Sequence, residues 1–404
     1  MTAERDREIL YAAAFLRALA TGMIGVLLGI YLAKLGFEPV VMGLVIASGL
    51  AGGATASLLV TIGGDQLGRR RVLLVLAILT AVGGVALLAT ASPLAVGVVA
   101  FLGMVNGMGR DRGAALVVEQ AVLPSIVSEN DRTRSFAWYN VAQDAGHALG
   151  GLLAAAPALL RQTLGMAEME SLRVGVGVYT VLMLGTVALY LRLSARVETS
   201  PGTTGLRVSP ESRRLLWRIS SLFALDSLGG GFLTTALLAF FFYERFGVGE
   251  GALGGLFFVA RLANALSHLG AAWLAGRIGL VNTMVFTHIP SSLLLVTVAI
   301  APSFPVAAAL FILREGLVEM DVPTRQSYVM AVVRPEERTV ASGVTSLVRM
   351  GAWAVAPSFA GLFMSGVSLA TPLVVGAAMK ITYDILLWRA FRHVRPPEEQ
   401  TSAG

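Results

Sequence analysis

The residues that could do chemistry in this chain are charges set inside apolar runs. Arg314, Glu315, Glu319, Asp321 and Arg325 all fall within the run 304–331. At helical spacing Glu315 and Glu319 lie one turn apart on one face, and Arg314, Asp321 and Arg325 share another stripe. Two neighbouring carboxylates in a low dielectric do not both ionise freely, so one becomes an acid that can load and release a proton near neutral pH. A structural salt-bridge network is the alternative. A second cluster, Arg110-Asp111-Arg112, falls in the run 95–122 with Glu119 seven residues after Arg112. Read as one helix, Arg112 and Glu119 share a face, and Arg110 lies roughly 20 Å from the start of the run at 1.5 Å per residue.

Other charges are buried in the same way. Arg17, Arg261, Arg349 and Lys380 are further bases set away from the ends of the apolar runs, and Asp144, Asp226 and Asp384 further acids. A charge at the centre of a membrane helix costs about 2.5–3.5 kcal/mol, so the whole set facing lipid would cost roughly 40–55 kcal/mol. Many must therefore pair, line a watery cavity or reach a helix end. Lys380 and Asp384, one turn apart, read as a simple ion pair. Arg261 and Arg349 read as anchors of contacts between halves of the chain. His147 and His268 read as hydrogen-bonded structural groups rather than proton relays.

These charges must be positioned by long apolar helices. The chain is 55% hydrophobic and only 14% charged, where soluble domains average about 25% charged. A spanning helix needs about 20 apolar residues. Twelve such runs are expected, at 9–33, 40–62, 72–92, 95–122, 136–159, 174–195, 217–243, 251–273, 280–301, 304–331, 340–364 and 368–390. The fold class is therefore an all-α integral membrane protein. The net charge of +6 would suggest nucleic acid in a soluble domain. Here the arginines crowd into alternate loops (Arg69, Arg70, Arg71, Arg132, Arg134, Arg196, Arg213, Arg214, Arg277 and Arg338 among them), which places both termini in the cytoplasm. Nucleic acid is not an expected partner. The chain has no cysteine, so no disulfide or thiolate metal site is possible. Gly249, Gly251 and Gly254 match a dinucleotide-loop spacing but follow no strand. No P-loop, His-Glu-x-x-His or Gly-x-Ser-x-Gly motif occurs. No cofactor, metal or enzymatic activity is expected.

The polar stretch 197–216 divides the chain into halves, 1–196 and 217–404. The halves repeat. Gly36, Gly43, Asp65 and Gly68 match Gly247, Gly254, Gly276 and Gly279 at a constant offset of 211 residues. Farther on, Gln120, Arg132 and Thr133 match Gln326, Arg338 and Thr339. Parallel repeats of about six spans mark transporters. A tight, Gly-rich cationic turn, Gly63 to Arg71, joins the second and third runs and recurs in weakened form at Gly276-Arg277-Ile278-Gly279.

Asp65-Gln66-Leu67-Gly68-Arg69-Arg70-Arg71 resembles the signature loop between helices two and three of the major facilitator superfamily. Thr61, Gly63 and Gln66 depart from that pattern. Gly146-His147-Ala148-Leu149-Gly150-Gly151 looks like the Gly-Pro-x-x-Gly-Gly segment of its antiporter and efflux branches, with His147 in place of proline. Gly146, Gly150 and Gly151 are read as a helix-packing motif. The resemblance implies twelve helices in two six-helix halves, with spans one, four, seven and ten around a central cavity. It implies Arg17, Arg110, Arg112, Asp226 and Arg314 as substrate-binding candidates. Glu315, Glu319 and Glu119 are the proton-coupling candidates, and Asp65, Gly68, Arg69 and Arg70 the conformational latch. The function expected is secondary active transport of a small polar or charged solute by alternating access, with proton-coupled efflux across the plasma membrane by a monomer. Uptake or anion transport on the same fold is the alternative within transport, and a non-transporting receptor or assembly protein the alternative outside it.

Overall fold

The computed structural model of the protein describes residues 2–105, 107–126, 132–198, 209–322, 325 and 338–392, and all regular structure among them is helical. In chain order the helices are α1 (Thr2–Lys34), α2 (Pro39–Leu67), α3 (Arg69–Ala89), α4 (Pro93–Leu102), α5 (Ala114–Ile126), α6 (Arg132–Leu153), α7 (Ala156–Leu164) and α8 (Glu168–Leu191). They continue as α9 (Pro210–Gly231), α10 (Thr235–Phe246), α11 (Glu250–Ile278), α12 (Leu280–Ala299), α13 (Phe304–Val318), α14 (Arg338–Gly366) and α15 (Thr371–Phe391). Among the described residues, 7 helical stretches are long and apolar enough to cross a membrane: α1, α2, α3, α8, the run Ser212–Phe246, α12 and α14. The other expected spans are the charged or interrupted ones: the run 95–122, α6, α11, α13 and α15. The central linker 199–208, Gln326 and the loop 333–337 lie outside the described residues, as do the side chains of Asp65 and His268.

Contacts sort the chain into two compact units. One comprises Met1–Thr203, Thr234–Phe258 and Pro357–Ser365; the other comprises Thr204–Leu233, Val259–Ala356 and Gly366–Gly404. In the first, α1 is the central strut, packed by α6, α8, α10 and α5. Its middle is buried on every face, from Leu10 through Met23, Leu27 and Tyr31, as expected of a helix that is apolar all round. In the second, α12 packs between α13 and α15, and α15 packs on α9 around Phe223, Met284, Tyr383 and Leu387.

The run 95–122 is not one helix. α4 stops at Leu102 and α5 starts at Ala114. The sequence between them carries Gly103, Gly107, Gly109 and Gly113 together with three consecutive charges. Each helical glycine costs about 1 kcal/mol relative to alanine, so this stretch gives up the helix. Met104 (φ 51°) and Gly109 (φ 70°) adopt left-handed conformations there. The freed carbonyls find partners on α10: Ala236 N–H donates to Gly107 O at 3.0 Å, and Thr235 Oγ1 donates to Met108 O at 2.8 Å. Glycines on neighbouring helices admit the irregular backbone. A Cβ at Gly25 would stand 2.4 Å from Gly109 Cα, and one at Gly49 would stand 2.0 Å from Val105 O. The expected shared face of Arg112 and Glu119 is thereby corrected, because no helix connects them.

The turn at Gly68 is tighter than the sequence suggests. α2 runs through Gly63, Gly64 and Asp65 to Leu67, and Gly68 alone (φ 89°) makes the corner before α3. The repeat is visible in the backbone: Gly68 and Gly279, and Gly36 and Gly247, all have positive φ.

Candidate functional site

In the first unit the site is built on Arg17 of α1. Its Nε donates to Asp111 Oδ2 at 2.9 Å, Nη1 to Glu119 Oε1 at 2.8 Å and Nη2 to Glu119 Oε2 at 2.6 Å. Nη1 also donates to the Tyr190 hydroxyl. Tyr190 of α8 in turn donates to Glu119 Oε1 at 2.7 Å, and Tyr139 of α6 donates to Glu119 Oε2 at 2.6 Å. Glu119 is 0% exposed and accepts four hydrogen bonds, which fill the lone-pair sites of an ionised carboxylate. Asp111, on the interrupted segment, is differently placed. Oδ2 meets Arg17, Oδ1 accepts a long bond from Gly113 N at 3.4 Å, and its N–H donates to His147 Nε2 at 2.7 Å. That bond makes Nε2 the acceptor and puts the imidazole proton of neutral His147 on Nδ1. Arg110 and Arg112 flank Asp111 half-buried.

α6 reaches this site because its glycines let it close on α1. A Cβ at Gly146 would lie 2.6 Å from Phe15 O, and one at Gly150 would lie 2.2 Å from Leu19 O. Gly22 on α1 meets His147 O in the same way at 2.6 Å. Gly151 faces elsewhere: its oxygen would lie 2.8 Å from a Cβ at Gly254 of α11.

The second unit holds a larger ionic cluster. Asp226 of α9 accepts from Lys380 Nζ on Oδ1 at 2.7 Å and from Arg325 Nη1 on Oδ2 at 3.1 Å. Arg325 also pairs with Asp321 at 2.8 Å and lies over the Phe223 ring at 5.2 Å. His288 of α12 places Nδ1 3.0 Å from both oxygens of Asp384, while its Nε2 lies 3.4 Å from Lys380 Nζ and 3.8 Å from Asp226 Oδ1. Lys380 and Asp384 are therefore not the simple pair the sequence suggests: Lys380 turns to Asp226, and His288 stands against Asp384. Burial allows this because Lys380 and Arg325 meet the Asp226 carboxylate of α9, and Asp384 has the imidazole of His288 as a hydrogen-bond partner.

A third group lies on α11 and α13. Asn264 Nδ2 donates to Glu315 Oε2 and to Glu315 O, both at 2.8 Å, and Arg314 pairs with the other Glu315 oxygen. The proposed stripe of Arg314 with Asp321 and Arg325 is corrected accordingly: Asp321 and Arg325 pair with each other, and Arg314 turns to Glu315. α13 ends at Val318, so Glu319 is its C-terminal cap rather than a mid-helix neighbour of Glu315.

At the Gly68 corner, Arg69 N–H and Arg70 N–H donate to the Glu198 carboxylate at 2.6 and 3.2 Å. The Arg69 and Arg70 guanidiniums reach Ala121 O at 3.1 Å and Leu191 O at 2.7 Å. The Glu198 carboxylate thus caps the N-terminus of α3, where a negative charge suits the helix dipole. The sequence reading missed Glu198, His288, Asn264, Tyr139 and Tyr190. Only Glu198, an acid on the edge of the polar linker, carried any local signal.

The chain resembles other membrane proteins along most of its length. It is 24% identical to an uncharacterized membrane protein of Saccharomyces cerevisiae, over 95% of this chain and 94% of the other. Its fold is shared by the nucleoside transporter NupG (TM-score 0.74, 16% identity, 96% of this chain and 99% of that one). It is shared also by a human organic anion transporter (TM-score 0.63, 17% identity, 96% and 100%) and by a D-xylose–proton symporter (TM-score 0.72, 11% identity, 96% and 98%). The sequence pattern of the Major Facilitator Superfamily matches residues 10–357. With that match, its apolar helices and this fold, the chain is an integral membrane protein belonging to the Major Facilitator Superfamily of transporters.

Proposed function

We propose that the protein is a secondary active transporter that moves a small polar or charged solute by alternating access, exporting it in exchange for protons. The observation that carries this reading is the burial of charged clusters deep in both units of an otherwise apolar chain. Such charges have a high insertion cost and are retained where a solute or an ion must be met. Twelve spans in two six-helix halves, 1–196 and 217–404 joined by a linker at 197–216, fit the repeated glycine corners. Arginine-rich alternate loops support cytoplasmic termini in a plasma membrane, and a monomer suffices for this architecture. Export is favoured by the glycine motif of α6.

The roles divide by how each group is engaged. Arg17 and Glu119 satisfy each other, and we assign them to holding α1, α5, α6 and α8 together. Arg110 and Arg112, half-buried on irregular backbone, are the solute-facing cations of the first unit. Asp226 and Arg314 serve as partners that organise the second unit, and Glu315 is held by Asn264. Gly68, Arg69 and Arg70, with Asp65 at the end of α2, form the latch at the cytoplasmic corner. Carriage of an organic anion is a second reading, favoured by the two arginines on either side of the single Asp111; one structural neighbour is an organic anion transporter.

A thermal-shift screen of the purified protein against polar anions, cations and zwitterions at two pH values tests the reading. A solute that stabilises the wild type and loses its effect in Arg110→Ala supports it. Stabilisation by hydrophobic cations alone overturns the substrate class.

A further inference from the structure

The second unit contains a buried histidine whose two ring nitrogens face opposite kinds of partner. Nδ1 of His288 meets the Asp384 carboxylate at 3.0 Å from both oxygens. Nε2 meets Lys380 Nζ at 3.4 Å and, slightly farther, Asp226 Oδ1 at 3.8 Å. Lysine is a donor only. Its contact with Nε2 is favourable when that nitrogen carries a lone pair, which puts the imidazole proton on Nδ1, donated to Asp384. In this state His288 is neutral and Asp384 ionised, and Lys380 ties α15 to Asp226 of α9.

We propose that His288 and Asp384 are the proton-binding pair of this transporter and that Lys380 reports its occupancy. The proposal rests on the proton-coupled reading above. A proton arriving from water binds at His288 Nε2 and makes an imidazolium held by Asp384. The new N–H then points at Asp226 Oδ1 and at the Lys380 ammonium. Lys380 must give way, and Asp226 exchanges a contact with α15 for one with α12. Release of the proton to water on the other side restores the Lys380 contact. No other bond is made or broken.

The surroundings suit a site that takes and gives one proton. From the segment after α13, Asp321 and Arg325 compensate each other, and Arg325 also holds Asp226 Oδ2. On α13 itself Arg314 and Glu315 are mutually paired. From α14, Arg349 donates to Ser227, the neighbour of Asp226, at 3.2 Å. The Tyr383 ring stands perpendicular to the imidazole, with ring centroids 6.1 Å apart. Asp384 is 0% exposed, so the proton it shares with His288 is shielded from bulk water. Histidine is also the side chain whose ordinary charge change falls between about pH 5 and 8.

Two measurements on the full chain test the proposal. The first is NMR of carbon-13 histidine-labelled wild type, titrated from pH 5 to 8, with His288 assigned by replacing the other histidines one at a time. His288 is expected to change protonation in this range; a constant signal overturns the proposal even if variants are damaged. The second measures proton flux in everted vesicles with a pH-sensitive dye, driven by the polar anion, cation or zwitterion that stabilises the wild type in the thermal-shift screen. His288→Gln and Asp384→Asn are expected to lose at least tenfold of the flux and its pH dependence while still showing the solute's thermal shift. Wild-type flux retained in both variants overturns the pair and leaves proton coupling standing. Solute movement without proton flux in the wild type overturns proton coupling and the pair with it, and the titration then reports only a buried histidine.

Discussion

Glu119→Gln separates a carboxylate that holds the fold from one that carries a proton. The substitution keeps the shape and removes the charge that faces Arg17. Arg17 donates to both Glu119 oxygens at 2.8 and 2.6 Å, and the side chain of Glu119 is fully buried. Removing one partner of a buried pair costs about 3–5 kcal/mol, because the other charge stays in the interior. The amide also turns a donor toward groups that already donate, Arg17, Tyr139 and Tyr190. At about 2–4 °C per kcal/mol for a unit of 150–250 residues, the variant should unfold about 6–20 °C below the wild type. Tyr139→Phe removes one hydrogen bond to the same carboxylate, worth about 1.5–3 kcal/mol, and should fall between the two. The assay is thermal unfolding of purified protein in detergent. An equally stable Glu119→Gln protein with altered pH dependence of transport would refute the reasoning and return Glu119 to the proton path.

Gly68→Ala forces a side chain into φ 89° and sets its Cβ 3.0 Å from Glu198 Oε1, so it should destabilise by about 1–2 kcal/mol, read as a lower unfolding temperature. Gly150→Ala drives a methyl toward Leu19 O at 2.2 Å and should cost about 1–3 kcal/mol; Gly53→Ala, inside α2 with nothing within 4 Å, should instead stabilise by about 0.5–1 kcal/mol in the same assay. Arg112→Ala should abolish or weaken the solute-induced thermal shift that the wild type shows, read as the difference in unfolding temperature with and without solute for each protein. The chain has no cysteine, so Leu67→Cys, exposed beside the corner, can be labelled without background, and Glu198→Gln should change its labelling rate; an unchanged rate contradicts the latch.

Much of the architecture is legible in residue order because its causes are local. Length and apolarity specify α1, α3 and α8, and glycine at Gly68 and Gly279 marks corners that require positive φ. The interruption between α4 and α5 was also written locally, in Gly103, Gly107, Gly109 and Gly113, but the apolar run on either side masked it. The site was less legible because its partners are remote in sequence. Glu119 could be singled out as a buried acid, whereas Tyr139 and Tyr190, which complete its shell, look like ordinary aromatic residues of apolar helices. His288 sits alone in the run 280–301, and Asp226 and Asp384 reach it from α9 and α15. Lys380 and Asp384 sit one turn apart and invite a pairing that a nearer Asp226 and His288 prevent.

The central claim is proton-linked movement of a polar solute, and transport itself is the direct test. Proteoliposomes containing the protein, given an imposed pH gradient and a defined mixture of polar anions, cations and zwitterions, can be read by mass spectrometry of the lumen. The account predicts that one polar or charged class crosses against its own gradient only when the pH gradient is present, and that Arg110→Ala abolishes its movement. Movement confined to uncharged apolar compounds, or indifferent to the pH gradient, would contradict it.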